Sequence, residues 1–291
     1  MLFGDNGLIS AGDSVAVVCH DAGGANLVFS FLAHDKLNNL KAYVEGPAVK
    51  IFNGFFLDLQ QEDSLKSALD GVDILVSGTG WATDLEHDAR RLARSLKIKT
   101  VAIIDHWVNY SERFIRNDEV IHPDEIWVAD LYAFNMAHKY FPNILVRQIR
   151  NHYLEDLVAD IGMLSAVNPP EVLYILEPAR STWGKANLGE FQALDFFMNS
   201  IPSLNLEEGL SIILKPHPSD PEDKYDYWVR SSSFANIYIE KKRGLASLLA
   251  WSDVVVGCES YAMVVALAAH KRVISSLPRY AHNCRLPHDK I

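Results

Sequence analysis

The sequence predicts an α/β protein made of two Rossmann-like domains, each with a parallel β-sheet. The 291 residues correspond to about two domains at roughly 150 residues each. Short β-branched runs alternate with helical patterns along the chain, and the clearest interruption lies at residues 159–171. Gly162 and the pair Pro169-Pro170 break helix and strand there. We therefore predict domains over residues 1–158 and 171–291 that face each other across a cleft.

The first domain is predicted to contain five strands separated by helices. The strands are Val15–Cys19, Asp73–Ser77, Thr100–Ile104, Glu125–Ala129 and Leu145–Ile149. An apolar helix follows the first strand through Leu27 and Leu32. A second helix begins near Thr83, because Thr83 and Glu86 have the spacing of a capping box.

The second domain repeats the same alternation. Its predicted strands are Val172–Leu176, Ser211–Leu214, Ile237–Ile239, Asp253–Val256 and Arg272–Ser276. Helices are predicted over Leu188–Met198 and directly after Ser260. Such alternation favours parallel βαβ units with helices on both faces of each sheet. Ligands of such sheets bind beyond the carboxyl ends of the strands, so the loops at those ends are the candidate sites.

Charge and composition exclude several classes of protein. Lysine and arginine total 27 against 37 acidic residues, a net charge of −10, whereas binders of nucleic acids or anionic membranes are usually basic. Three scattered cysteines predict neither a disulfide framework nor a zinc site, and they favour a reducing, cytoplasmic location. No apolar run approaches the roughly 18 residues of a membrane span. No residue cluster predicts a metal site.

The loop Leu214–Pro221 is the most specific motif. It follows a predicted buried strand, and Pro216 and Pro218 restrict the backbone on both sides of His217. Lys215 and His217 can both donate hydrogen bonds to a phosphate. The alternative interpretation is a rigid loop with a surface histidine.

The segment Gly257–Ser260 lies between a strand and an apolar helix. Ser260 or Glu259 is placed near the N-cap of that helix, where backbone N–H groups and the helix dipole attract an anion. Glu259 would repel a phosphate, so we expect it to accept hydrogen bonds from sugar hydroxyls. A capped helix without any ligand is the alternative.

The first strand leads into the glycine-containing loop Cys19–Asn26. Gly23 and Gly24 let the backbone approach a ligand closely. Asp21, at the end of the strand, is a candidate general base if burial raises its pKa. Alternatively, Asp21 only turns the chain into the following helix.

Three further loops carry weaker candidates. Trp81, Asp105 and His106 follow strands of the first domain and suit a polar acceptor such as a sugar stacked on an indole ring. Arg180 follows the first strand of the second domain and could clamp a diphosphate with its planar guanidinium group. The tryptophan is equally consistent with ordinary packing, and the arginine with an exposed side chain.

Two of these motifs resemble those of a known fold class. The segment Lys215–Pro218 is similar to the His-Pro motif of bacterial sialyltransferases, capsule polysaccharide transferases and glycerophosphotransferases, which have the GT-B glycosyltransferase fold. The segment Gly257–Ala262 resembles their donor-binding motif. This resemblance implies that the second domain holds a nucleotide sugar, that His217 and Ser260 contact its phosphate, and that Asp21 is the base on the acceptor side.

The sequence therefore predicts metal-independent transfer of a sugar from a nucleotide-activated donor to a carbohydrate acceptor, in surface-polysaccharide assembly and without a further cofactor. Two alternatives stay open. One is a nucleotide-sugar 2-epimerase, which shares the fold, and the other is a non-catalytic nucleotide- or sugar-binding protein. The sequence does not indicate an oligomeric state.

Overall fold

Contacts within the chain divide it into two units, Met1–Tyr153 and Leu154–Ile291. The computed structural model describes residues 8–35, 37–80, 82–164, 171–178, 182–183, 185–206, 210–217, 220–234 and 236–291. Each unit contains its own parallel sheet, so the predicted α/β fold class with two Rossmann-like units is confirmed.

The first unit contains, in chain order, β1 (Ser14–Cys19), α1 (Ala22–Asp35), β2 (Asn39–Val44), α2 (Ala48–Phe55), α3 (Leu65–Ala68), β3 (Ile74–Ser77), α4 (Leu85–Ser95), β4 (Lys99–Ile104), β5 (Ile115–Arg116), β6 (Glu119–Val120), β7 (Glu125–Val128), α5 (Leu131–Tyr140) and β8 (Leu145–Gln148). Six strands form a sheet in the order β2-β1-β3-β4-β7-β8. All neighbours in it are parallel, and β5 and β6 form a small antiparallel hairpin.

Helix α6 (His152–Met163) contains the division between the units. The second unit continues with β9 (Glu171–Ile175), α7 (Gly189–Ser200), β10 (Ser211–Lys215), α8 (Asp226–Ser231), β11 (Ile237–Ile239), α9 (Leu245–Trp251), β12 (Val254–Gly257), α10 (Tyr261–Ala268) and β13 (Arg272–Ser275). Its five strands are parallel in the order β11-β10-β9-β12-β13.

Apolar residues cover both faces of the first sheet. Val17 of β1 belongs to a core cluster with Phe29 of α1 and Phe52 of α2. Its neighbour Val18 packs in a separate cluster with Ala93 of α4. Because successive strand residues point to opposite faces, the apolar runs of the sequence specify a sheet buried on both sides.

Two local predictions differ from the structure. Gly162 does not interrupt α6, because one glycine in a helix costs only about 1 kcal/mol relative to alanine. The capping box of Thr83 and Glu86 does not form. Asp84 is the N-cap residue of α4 and makes no side-chain cap hydrogen bond, and Glu86 is buried instead. Pro169 and Pro170 lie outside the described residues.

Candidate functional site

At the carboxyl edge of the second sheet, β9 lies between β10 and β12. Glu177 follows β9, His217 follows β10 and Ser260 follows β12. The strands are about 4.8 Å apart, so the ends of β10 and β12 are separated by roughly 10 Å. The three loops that carry these residues therefore share one edge of the sheet.

Glu177 is bound by three consecutive backbone amides at the start of α10. The N–H groups of Cys258, Glu259 and Ser260 donate to its carboxylate over 2.8, 2.9 and 2.9 Å. Burial raises the pKa of Glu177 to about 7, although these hydrogen bonds oppose the rise. The N–H groups that were expected to bind a phosphate thus bind a carboxylate of the chain itself.

Gly257 makes room for this arrangement. A Cβ atom at residue 257 would lie 3.3 Å from Oε1 of Glu177 and 3.0 Å from the sulfur of Met263. Such distances are tighter than ordinary van der Waals contact, so the absence of a side chain lets the carboxylate approach the amides. The glycine was part of the predicted motif, whereas Glu177 was not a predicted site residue.

Ser260 is the N-cap residue of α10. Its backbone is extended, and its Oγ accepts a hydrogen bond from the N–H of Ala262 over 3.2 Å. The positive end of the helix dipole is therefore directed at Glu177. Contact between Ser260 and a donor phosphate remains a prediction.

Lys215 holds the turn that follows β11. Its Nζ donates to the carbonyl oxygens of Lys241 and Arg243 over 3.1 and 2.9 Å. Burial lowers the pKa of Lys215. The ammonium group is therefore already bound to backbone, and its predicted phosphate contact has no direct support in this geometry.

His217 is exposed, and its loop is held by a buried aspartate. The N–H of His217 donates to Oδ2 of Asp220 over 3.1 Å, and the carbonyl oxygen of His217 accepts from the N–H of Asp220 over 2.9 Å. The Asp220 side chain is only 2% exposed and pairs with Lys224 over 2.7 Å. Pro218, one of the two prolines expected to brace the loop, lies outside the described residues.

Glu259 is held by two side chains of the carboxyl-terminal segment. Nε2 of His282 lies 3.1 Å from Oε1, and Arg285 donates to both carboxylate oxygens. Burial opposes ionisation, but the hydrogen bonds from Arg285 and His282 hold the pKa of Glu259 below its usual value. Glu259 is thus an ionised acceptor at this edge. His282 and Arg285 were not predicted.

In the first unit, Asp21 pairs with its neighbour His20 at the end of β1. Nδ1 of His20 lies 2.9 Å from Oδ1 of Asp21, and the Asp21 side chain is 33% exposed. Oδ2 of Asp21 lies against Gly80, where an added Cβ would be 2.6 Å from Cγ of Asp21. The His20 ring packs on Gly46 in the same way. His20 was not a predicted site residue.

Asp105 is fixed by a buried arginine. Nη1 of Arg113 donates to Oδ1 of Asp105 and to Oγ1 of Thr79, each over 2.7 Å. The Asp105 carboxylate also lies against Gly23, where an added Cβ would overlap Oδ2. Gly23 was predicted to let a ligand approach the backbone, but in this structure the Asp105 carboxylate occupies that position. His106 follows at the same loop and packs edge-on against Trp107 with ring centroids 5.3 Å apart.

Gly24 and Glu86 complete this edge of the first sheet. The predicted loop Cys19–Asn26 is shorter than expected, because α1 begins at Ala22 and contains both Gly23 and Gly24. An added Cβ on Gly24 would lie 3.6 Å from Cα of Gly78, so α1 packs closely on the backbone that follows β3. Oε1 of Glu86 accepts a hydrogen bond from the N–H of His20 over 2.9 Å. Burial raises the pKa of Glu86. This buried role of Glu86 was not predicted, because Glu86 occupies a capping position in the sequence pattern.

Two predicted site residues, Trp81 and Arg180, lie outside the described residues. Within the described part of the chain, no group of three or more His, Cys, Asp or Glu side chains is arranged to hold a metal ion. The helices described there include none that is both long enough and apolar enough to cross a bilayer.

The comparisons with known proteins agree on the fold. No protein-family profile and no curated sequence matches the chain. The complex of S. aureus MnaA with UDP matches in structure with a TM-score of 0.62 at 10% identity, over 90% of this chain and 78% of that one. The fold is that of the GT-B class. A putative UDP-N-acetylglucosamine 2-epimerase from Listeria monocytogenes matches with a TM-score of 0.58 at 10% identity, over 89% and 78%. A further UDP-N-acetylglucosamine 2-epimerase matches with a TM-score of 0.52 at 12% identity, over 90% of this chain and 78% of that one.

Proposed function

We propose that this protein is an enzyme that acts on a nucleotide-activated sugar and transfers the sugar to a carbohydrate acceptor. The observation that carries the proposal is the anion-binding start of α10, whose amides already hold the carboxylate of Glu177. The structural neighbours support the substrate class, because one was solved with UDP and two are named for UDP-N-acetylglucosamine.

The chemical need of such a transfer is to stabilise the departing nucleotide phosphate. We assign His217 and Ser260 to that phosphate, with Arg180 and Lys215 adding positive charge near it. Fixed donors of this kind lower a barrier because they need no reorganisation when the charge develops. Glu259 then accepts hydrogen bonds from the sugar part of the donor.

Glu177 makes phosphate binding depend on protonation. An ionised carboxylate at the start of α10 repels a phosphate and competes with it for the same amides. With a pKa of about 7, Glu177 takes up a proton at little cost near neutral pH. Donor binding is therefore expected to be coupled to proton uptake by this side chain.

Asp21 is the proposed base that takes the proton of the acceptor hydroxyl. It is partly exposed at the end of β1 and hydrogen-bonded to His20, so a hydroxyl can approach it. Gly23 and Gly24 in the first turn of α1, and Asp105 and His106 after β4, are assigned to the acceptor side, together with Trp81. The reaction is proposed to serve surface-polysaccharide assembly in the cytoplasm.

A nucleotide-sugar 2-epimerase is the second candidate. Two neighbours that are named as such epimerases favour it, and so does a second carboxylate, Asp105, held beside α1 by Arg113. Moving a proton off and back onto a sugar carbon needs both a base and an acid. A protein that binds the nucleotide sugar without turnover is the non-catalytic alternative.

One incubation distinguishes these functions. The protein is mixed with a panel of nucleotide sugars, with and without carbohydrate acceptors, and the products are separated by mass and by sugar stereochemistry. Glycosyl transfer gives a heavier acceptor and a free nucleotide only when acceptor is present. An epimerised sugar nucleotide without acceptor would replace the transferase proposal by the epimerase, and nucleotide binding without turnover would leave only the binding protein.

A further inference from the structure

An apolar groove lies at the amino edge of the first sheet. It has a volume of about 710 Å³, and its apolar lining consists of Leu69, Val72, Leu92, Leu96 and Ile98. One cation and one acid, Lys66 and Asp70, also line it. The Leu96 side chain remains 50% exposed. The groove is thus large enough for a small ligand and apolar enough to bury a hydrocarbon.

A second, basic pocket adjoins this groove at Ile98, which lines both. The pocket has a volume of about 340 Å³ and is lined by Arg94, Lys97, Lys99 and His122. Lys99 is paired with Glu125 over 2.8 Å. The side chains of Arg94 and Lys97 have no ion pair or hydrogen bond with any residue that the structure describes.

The one acid that lines this pocket is outnumbered by three cations, Arg94, Lys97 and Lys99. The Asp124 carboxylate accepts hydrogen bonds from the N–H and the hydroxyl of Thr100 over 2.7 and 2.8 Å, so it is bound within the protein. The sequence from residue 89 to residue 104 contains five cations and no acid. Arg90 is buried and Arg91 pairs with Asp88 and Glu119, so Arg94, Lys97 and Lys99 are the cations of this stretch that line the pocket.

We propose that the groove and the pocket together bind an amphipathic anion, with an alkyl chain along Leu92 and Leu96 and a phosphate head against Arg94 and Lys97. The alkyl chain would cover apolar surface that is otherwise exposed, and the phosphate head would meet two cations that form no ion pair with the described residues. The site lies at the opposite end of β1 from Asp21, roughly 20 Å away for a six-residue strand. It does not depend on the proposed function.

The experiment is a calorimetric titration of the full chain with decyl phosphate, kept as a monomer. Inorganic phosphate tests the need for the alkyl chain, and decanol tests the need for the charge. We expect decyl phosphate to bind at least about tenfold more tightly than either, because inorganic phosphate has no alkyl chain to bury and decanol has no charge to pair with Arg94 and Lys97. Equal affinity for all three, or no binding of decyl phosphate, would overturn the proposal.

The variant Arg94→Gln/Lys97→Asn removes both cations and should weaken binding by about tenfold or more. Asparagine suits residue 97, whose φ is +60°. Lys50→Gln/Lys139→Gln makes the same change in net charge at two exposed positions elsewhere and should bind as the wild type does. Unchanged affinity in the first variant, with an unchanged melting temperature, would contradict the assignment of the head group.

A second arm identifies the source of the amphiphile. Vesicles of phosphatidylglycerol and of phosphatidylcholine are sedimented with the protein. If the protein sediments with phosphatidylglycerol vesicles but not with phosphatidylcholine vesicles, and Arg94→Gln/Lys97→Asn does not sediment with either, the head group belongs to a membrane lipid. Binding of monomeric decyl phosphate without sedimentation assigns a free amphiphile.

Discussion

The backbone N–H of Ser260 donates a 2.9 Å hydrogen bond to the carboxylate of Glu177. The two residues are far apart in sequence and meet because β9 and β12 are neighbours in the sheet. The helix start that was predicted to attract a phosphate is therefore filled by an acid whose pKa is raised to about 7. We expect this pairing to make the stability of the protein, and the proposed binding of a nucleotide, sensitive to pH.

The first prediction concerns stability. Glu177 has a pKa of about 7 in the folded protein, above its ordinary value of 4.5. The folded protein therefore holds this proton more tightly than the unfolded chain, and stability falls as pH rises between these two values. From pH 5 to pH 8 the free energy of unfolding should lose about 2 kcal/mol through this group.

Urea unfolding of the wild type, Glu177→Gln and the exposed control Glu222→Gln measures this effect. The cost of Glu177→Gln should be larger at pH 5 than at pH 8 by that amount, while Glu222→Gln should show no such trend. A cost that does not change with pH would mean that Glu177 keeps an ordinary pKa.

The second prediction concerns the glycine that supports Asp21. In Gly80→Ala the new Cβ would overlap the Asp21 carboxylate and force it to move. A displacement of about 1 Å can lower turnover by about 10²-fold, so turnover should fall by that order while the melting temperature changes little. Gly54→Ala in α2 is the matched control, because nothing lies within 4 Å of its added Cβ. Wild-type turnover in Gly80→Ala would separate Asp21 from the reaction.

The third prediction concerns His217. His217→Ala should lower turnover by about 10²-fold or more, the scale for losing one preorganised donor, with little change in stability because the side chain is exposed. The exposed His138 provides the control variant His138→Ala. If steady-state kinetics give the same turnover for both variants, His217 has no part in the mechanism.

The fourth prediction concerns the base. Asp21→Asn should lower glycosyl transfer by about 10² to 10⁴-fold, the usual contribution of general base catalysis, while nucleotide affinity stays unchanged. Asp118→Asn, in the exposed turn between β5 and β6, is the matched control. Initial rates with acceptor test this, and a normal rate for Asp21→Asn would remove the proposed role.

The sequence patterns located the sheets well. All ten predicted strands agree with observed strands to within one residue at each end, because buried parallel strands appear as continuous apolar runs. β2 was missed, since Asn39 and Lys41 interrupt its pattern at the edge of the sheet. The two-residue strands β5 and β6 were missed as well, and so were helices α2, α3, α5, α6, α8 and α9. Of these helices α3, α8 and α9 are short and offer too few turns for a clear period.

The candidate site was predictable only in part. Glycines and polar residues after strands marked the loops that contain Asp21, His217 and Ser260. The residues that hold these loops could not be predicted from local sequence patterns. Glu177 binds amides more than eighty positions away, and Arg113 donates to Thr79 on another loop. The position of Glu177 is itself a signal of a site, because Glu177 follows β9 by two residues as Asp21 follows β1, and strand ends are where ligands bind.

The most direct test of the central claim is calorimetric titration with nucleoside diphosphates at pH 6 and pH 8, beginning with UDP. If a phosphate binds at the start of α10, Glu177 must be protonated for binding. Between pH 6 and pH 8 the wild type should therefore lose about tenfold more affinity than Glu177→Gln does. Glu177→Gln should bind more tightly than the wild type at pH 8. Failure of every diphosphate to bind, or an identical pH dependence in both proteins, would contradict the account.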